Sequence, residues 1–220
     1  MKKANTSNKI NDVLTLFKEW KSTLTKDDKI ILYNYTKYLY EEVNSFLIDG
    51  ILNDDSFGSS PDDLVTKDAI EKIDEILDRF ILKQMILVYR NEHHDIELED
   101  LYKFINGLDK IEYKNFVSTS ITEEAFERFF ENLKKHYPTE AFLRMKGNLS
   151  VGSSCGFIDK EMSAMADQED EMLIARNITF YINSQNIKID YANKVVSING
   201  EFRKEWILWK DLKADMKWKS

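Results

Sequence analysis

The sequence is poorest in the residues that cross-link or interrupt a chain. It has one cysteine, Cys155, among 220 residues. That excludes an intrachain disulfide framework and any structural zinc site built on cysteine. Two prolines and seven glycines exclude collagen-like sequence and leave little material for a long disordered linker. No apolar run reaches the roughly 18–20 residues that a membrane-spanning helix needs. Positive charge is also in deficit: 31 Lys and Arg stand against 39 Asp and Glu, a net charge of -8. Self-repulsion then works against gripping a phosphate backbone, so no nucleic-acid partner is expected. The first residues, Met1 to Asn8, are polar and run into an amphipathic segment. The expectation is no signal peptide of the usual kind and a cytoplasmic site of action. A toxin component delivered by a partner and a phage or bacterial effector acting in its own cell both fit.

What is present suffices for a core. Hydrophobic residues make up 43% and charged residues 32%, which supports one large domain or two small ones. The expectation is a single domain, 1–220, with a helical N-terminal subregion, 1–83, and a strand-rich core, 84–220. Ile10, Val13, Leu14, Phe17 and Trp20 recur at helical spacing. The run from Asp28 to Leu52 does not alternate and is too long for a strand. Residues 53–60 read as a loop. Ser60-Pro61-Asp62-Asp63 then resembles a helix start, continued by the stripe Ile70, Ile73, Ile76, Leu77, Phe80.

From Met85 to Arg90 the chain is a short apolar run, read as a buried strand. A charged loop and a helix from Leu98 to Ile105 follow. Asn115 to Ser120 reads as a strand, and Thr122 opens a helix to about Lys135. Seven further strands are expected, at 141–145, 154–158, 171–175, 179–183, 187–191, 195–198 and 206–209, from their Val, Ile, Phe, Tyr and Trp content.

Three short pieces carry chemistry. Arg90 ends a strand, where a rigid backbone aims a planar fork of donors suited to a pyrophosphate or a carboxylate. Phe116-Val117-Ser118-Thr119-Ser120 puts two hydroxyls, Ser118 and Ser120, on one strand face and Thr119 on the other. Glu169 and Glu171 share a face if the chain is extended there, and paired carboxylates suit chemistry that builds positive charge. Each piece alone also reads as ordinary structure: a strand-end ion pair, a polar strand face, an acidic loop. His93-His94-Asp95 with Glu97 lacks a full ligand set, so no metal is expected. Cys155 reads as packing. The Trp and Lys residues from Lys204 to Lys219 read as a closing strand and a solvated tail.

In their order, these pieces resemble the R-S-E class of mono-ADP-ribosyltransferases, on the branch of bacterial binary-toxin enzymatic subunits and their exoenzyme relatives. The resemblance lies in Arg90 ending a strand, in Phe116 to Ser120, and in Glu169-Asp170-Glu171-Met172-Leu173-Ile174. It extends to Tyr35-Thr36 with Asn44 nine residues on, to the helix from Ile70 into Arg90, and to Gly152-Ser153-Ser154-Cys155-Gly156. It implies an α+β fold of two packed, mostly antiparallel β-sheets behind an N-terminal helical layer. It implies NAD as substrate, no metal, and a target protein as partner.

By the same resemblance, Arg90 holds the NAD phosphates. Ser118 bonds near the nicotinamide ribose and the catalytic glutamate, with Thr119 and Ser120 bracing. Glu171 binds the ribose 2′-hydroxyl and favours the oxocarbenium-like transition state. Glu169 orients and deprotonates the acceptor, and a glutamate at that place goes with arginine acceptors. Tyr35, Asn44 and Asn115 match positions lining the NAD cleft. Among Phe126, Phe129 and Phe130, Phe129 is preferred as the ring packed on nicotinamide. Arg144 is a candidate second cleft arginine. Where relatives carry an aromatic that recognises the target, this sequence has Ala166. Two alternatives stand beside this reading: NAD hydrolysis or transfer to another acceptor, and a catalytically silent relative that binds a partner.

Overall fold

The computed structural model describes residues 15–49, 63–159, 161–163 and 171–204. The expected features at residues 10–14, at the 53–60 loop and Ser60-Pro61, and at 206–209 lie outside these.

The front of the chain is helical as its periodicity requires: α1 (15–23), α2 (Lys26–Asn34), a π-helical turn (Tyr35–Leu39), α3 (Tyr40–Asp49) and α4 (Asp63–Asp78). Ile70, Ile73, Ile76 and Leu77 form the buried stripe of α4. Helix α2 starts on a capping box. Thr25 Oγ1 accepts the Asp28 N–H at 3.1 Å, and Asp28 Oδ2 accepts the Thr25 N–H at 2.8 Å. Asp28 Oδ2 also accepts Arg79 Nη1 at 2.6 Å, tying the start of α2 to the end of α4.

Burial alone would raise the Asp28 carboxyl, but the bonds from Arg79 and Thr25 outweigh it and hold the group below its ordinary 3.8. A carboxyl depressed in the folded state stabilises the fold above its unfolded pKa, and that stability is lost as pH falls through the folded value. Asp28→Asn should cost about 2 kcal/mol at neutral pH, since a cap and one partner of a buried pair go together. Urea unfolding at pH 7 and at pH 3 should show the gap between variant and wild type shrinking in acid.

The remainder follows as β1 (Ile86–His94), α5 (Leu98–Asn106), β2 (Lys110–Tyr113), β3 (Val117–Ser120), α6 (Glu123–His136), β4 (Ala141–Leu149), β5 (Cys155–Ile158), β6 (Glu171–Ile174), β7 (Ile178–Ile182), β8 (Lys188–Asp190) and β9 (Val195–Lys204). Thr122 caps α6 by accepting the Ala125 N–H, as its position suggests. The strands run β2-β7-β9-β4-β1-β3-β6-β5, with β8 on β9. All pairs are antiparallel except β4 with β9. Between β1 and β3 the ladder holds at one pair, Tyr89 with Ser120. The expected two sheets are thus two halves, β2-β7-β9-β4-β1 and β3-β6-β5, hinged at that pair.

Two sequence readings are corrected. The residues after Arg90 are not a charged loop: Asn91, Glu92, His93 and His94 continue β1, paired to Arg144, Leu143, Phe142 and Ala141 of β4. Polar residues are tolerated there because the other side of β1 is no longer covered by β3. Strand β2 was not foreseen, because Lys110 and Glu112 make it look like a loop. It is an edge strand, paired only to β7, where charge is an asset.

Gly156 on β5 marks the join between helices and the small half-sheet. A side chain there would meet the Trp20 ring at 2.5 Å and the Leu77 side chain at 3.1 Å. Among the described residues no helix is long and apolar enough to cross a membrane.

Candidate active site

The break in the ladder makes the site. Beyond Tyr89, β1 leaves β3, and the opening is a cleft of about 590 Å³. Arg90 sits at the parting. Its Nη1 donates to the Ser118 carbonyl at 2.7 Å, on the edge of β3 that β1 has left. Its Nε donates to Glu92 Oε1 at 2.7 Å, and the same oxygen accepts the Tyr113 hydroxyl at 2.9 Å. The guanidinium lies over the Tyr113 ring, 5.4 Å from its centroid. Burial would discharge both members of this pair, but each outweighs burial for the other. The Arg90 guanidinium is pushed up, and the Glu92 carboxyl is held down to about 2. Both are therefore ionised at any ordinary pH.

Glu171 lines the same cleft. It opens β6 between Ser120 of β3 and Ile158 of β5, in register with both, and is 5% exposed. Directly paired antiparallel residues share a face, so Glu171, Ser120 and Ser118 project to one side. Thr119 borders the cleft, but its hydroxyl is committed to the Met172 carbonyl at 2.9 Å. The alternation read from the sequence is the one observed.

The N-terminal helices close the cleft through Tyr35, Thr36, Tyr40 and Asn44. The π-helical turn explains how. A wider turn of i to i+5 brings Tyr40 over Tyr35, and one α turn further Asn44 joins them. The Tyr35 ring meets Phe116 edge-on, centroids 5.7 Å apart. Burial, and then the charge of Glu171, push the Tyr35 phenol up. It therefore stays a hydroxyl, able to donate.

Phe129, from α6, borders the cleft, whereas Phe126 and Phe130 turn inward. Arg144 lies over those two rings, at 4.2 and 4.5 Å, with Nη2 on Glu127 at 2.6 Å. It does not border the cleft, which corrects its candidacy as a second cleft arginine. Asn115 does not border it either: its side chain is buried and donates to the Phe116 carbonyl at 3.1 Å. Glu169, with Gln168 and Ala166, lies outside the described residues. The structure thus gathers Arg90, Ser118, Thr119, Ser120, Tyr35, Asn44, Phe129 and Glu171 around one cavity.

It adds Tyr40 and Glu92, which the sequence did not single out, and His93, which entered there only in the dismissed metal set. Tyr40 escaped because its alignment with Tyr35 needs the π turn. Glu92 is hidden in the sequence because the polar stretch 91–94 has the composition of a loop, although it continues β1. His93 Nδ1 donates to the Glu140 carboxylate at 2.6 Å, and its ring stacks on Tyr137 at 3.8 Å, on the cleft wall. Among the described residues no group of His, Cys, Asp and Glu is placed to hold a metal ion. Burial pushes the Cys155 thiol up, which suits packing and not nucleophilic chemistry.

A buried carboxylate, two hydroxyls and an arginine thus line one cleft where the sheet parts. Residues 14–204 match the profile of the ADP-ribosyltransferase exoenzyme family. The chain belongs to that family, whose members transfer ADP-ribose from NAD. No curated protein matches the sequence. Solved structures with a similar fold include Plx2a, an ADP-ribosyltransferase toxin from Paenibacillus larvae, at 21% identity over 90% of this chain and 96% of that one, TM-score 0.65. Vis toxin from Vibrio splendidus is similar at 18% identity over 94% and 88%, TM-score 0.64, and has also been solved with agmatine. C3stau2 from S. aureus, solved with NAD, is similar at 17% identity over 93% and 97%, TM-score 0.63. At these identities the likeness is one of fold.

Proposed function

We propose that this chain is a single-domain, NAD-dependent mono-ADP-ribosyltransferase whose acceptor is an arginine of a target protein. The observation that carries the reading is the placement of Glu171: buried, on one face with Ser118 and Ser120, in the cleft that Arg90 also lines. The cleft suits NAD in its donor set. Beyond its bonds to Glu92, Ser118 and Tyr113, the Arg90 guanidinium keeps N–H donors that can meet a phosphate. The hydroxyls of Ser118 and Tyr35 can meet a ribose, and Phe129 offers a flat apolar face.

In this reading Glu171 accepts the ribose 2′-hydroxyl and stabilises the positive charge that builds at C1′. The C1′–N bond breaks and its electron pair leaves with nicotinamide. A guanidine nitrogen of the acceptor forms the new bond to C1′, and its proton passes to Glu169. The arginine preference rests on Glu169 two residues before Glu171. Agmatine, found with the Vibrio enzyme, is itself a guanidine. The target protein is the partner, and no metal takes part.

The test is nicotinamide release from NAD with and without cell lysate, followed by mass spectrometry of labelled protein. Release with an ADP-ribosylated arginine is expected. Release with no labelled protein would replace transfer by hydrolysis, and neither release nor NAD binding would leave a partner-binding relative. Glu169→Gln should lower transfer to agmatine by about 100-fold, the range for removing a general base, and lower NAD hydrolysis far less. Equal losses in the two assays would remove Glu169 from acceptor handling.

A further inference from the structure

We propose that Glu92 is a positioning residue: braced by Tyr113, it holds the Arg90 guanidinium so that the remaining N–H donors are left for the substrate phosphate. The inference rests on the reading of this cleft as a NAD site, and it concerns a residue to which that reading assigns no role.

The geometry is that of a built brace. Arg90 and Glu92 are alternate residues of β1 and so lie on one side of the strand. A guanidinium has five N–H donors in a fixed plane. Here Nε is committed to Glu92 and Nη1 to the Ser118 carbonyl. Two anchors on different strands fix the plane completely, because the group can no longer turn about its bond to the aliphatic stem. The Glu92 carboxylate is held in its turn: Oε1 also accepts the Tyr113 hydroxyl, His94 Nε2 stands 3.6 Å from Oε2, and the Tyr113 ring lies beneath the guanidinium. The side chains of Arg90 and Glu92 are 20% and 18% exposed, and the bond between them is partly buried, whereas the Ser118 anchor lies at the exposed edge of β3.

The brace has a chemical consequence. The pair carries no net charge, so the attraction between a phosphate and Arg90 depends on how the remaining N–H donors are aimed rather than on a bare cation. The β1 ladder to β4 runs through this stretch without help from the pair. The pair is thus not needed to keep β1 in place.

Steady-state nicotinamide release by the full chain tests this with three variants. Glu92→Gln keeps an oxygen for both donors, Glu92→Ala removes it, and Tyr113→Phe removes only the brace. Glu92→Ala should raise the KM for NAD about 10-fold with kcat within about 3-fold, the pattern of lost substrate binding. Glu92→Gln should stay within about 3-fold of wild type in KM, and Tyr113→Phe should fall between the two. Should Glu92→Ala fail to fold, the order of Tyr113→Phe above Glu92→Gln in KM decides alone. Equal KM values for Glu92→Ala and wild type, or a fall in kcat at constant KM, would overturn the positioning role. So would a Glu92→Gln variant as impaired as Glu92→Ala, since charge and not geometry would then matter. A wild type that released no nicotinamide would overturn the proposed function and this role with it, whereas an active wild type beside unaffected variants would overturn this role only.

Discussion

Glu171→Gln is expected to lower nicotinamide release from NAD by about 100- to 1,000-fold, or about 2.7–4 kcal/mol of transition-state stabilisation. The side chain keeps its size and an acceptor oxygen, so what it loses is charge. Glu171 is 5% exposed, and a carboxylate removed from bulk water acts on a nearby developing cation with little screening. The fold should be indifferent to the change. What Glu171 shares with Ser120 and Ile158 is backbone register, which an amide at the same position preserves. The measurement is a nicotinamide-release assay beside a thermal melt. A variant that melts with wild type and turns over like it would show that the cation is stabilised elsewhere. A Tyr35→Phe control separates the two neighbours. It removes a donor but leaves the carboxylate, so a loss well short of that of Glu171→Gln is expected.

The parts of this site that were legible in the sequence are those encoded in strict strand alternation. Ser118 and Ser120 on one face with Thr119 on the other follow from period two alone, and the pairing with β6 adds only the partner. Glu171 was recognisable because Met172, Leu173 and Ile174 begin a buried strand directly after it. The parts that were not legible depend on tertiary support. Asn91 to His94 look like loop by composition, yet β4 pairs all four, so the strand survives its polar residues. Tyr40 is five residues from Tyr35, a spacing that an α-helix would splay and a π turn aligns. Arg144 looks available in the sequence, and only the packing of α6 shows it spent on Phe126, Phe130 and Glu127. Cleft residues drawn from an opened ladder, a widened helical turn and a cross-strand brace leave no local periodicity to read.

Trp20→Ala should cost about 3–5 kcal/mol of stability, the range for emptying a buried large aromatic site. Trp20 is 1% exposed and stands edge-on to Phe17, centroids 6.0 Å apart. Its ring fills the space that Gly156 leaves on β5, so truncation opens a cavity whose far wall is strand backbone and cannot close by a rotamer change. Its Nε1 also donates to the Ile76 carbonyl at 2.9 Å, in the last turn of α4, where helix carbonyls lack intrahelical partners. Removing the indole strands that carbonyl as well. At roughly 2–4 °C per kcal/mol for a chain of this size, the melting temperature should fall by about 6–20 °C. Trp20→Phe, which fills most of the space and loses the donor, should fall less. The site is coupled to this plug: β5 carries Gly156 and pairs with β6, setting Ile158 opposite Glu171. Trp20→Ala should therefore lose activity in step with the unfolded fraction on warming and regain most of its kcat on cooling, whereas Glu171→Gln should stay folded and inactive at every temperature. A Trp20→Ala enzyme that melted within about 2 °C of wild type, less than 1 kcal/mol on that scale, would mean that the helical layer is not held to β5 by this ring.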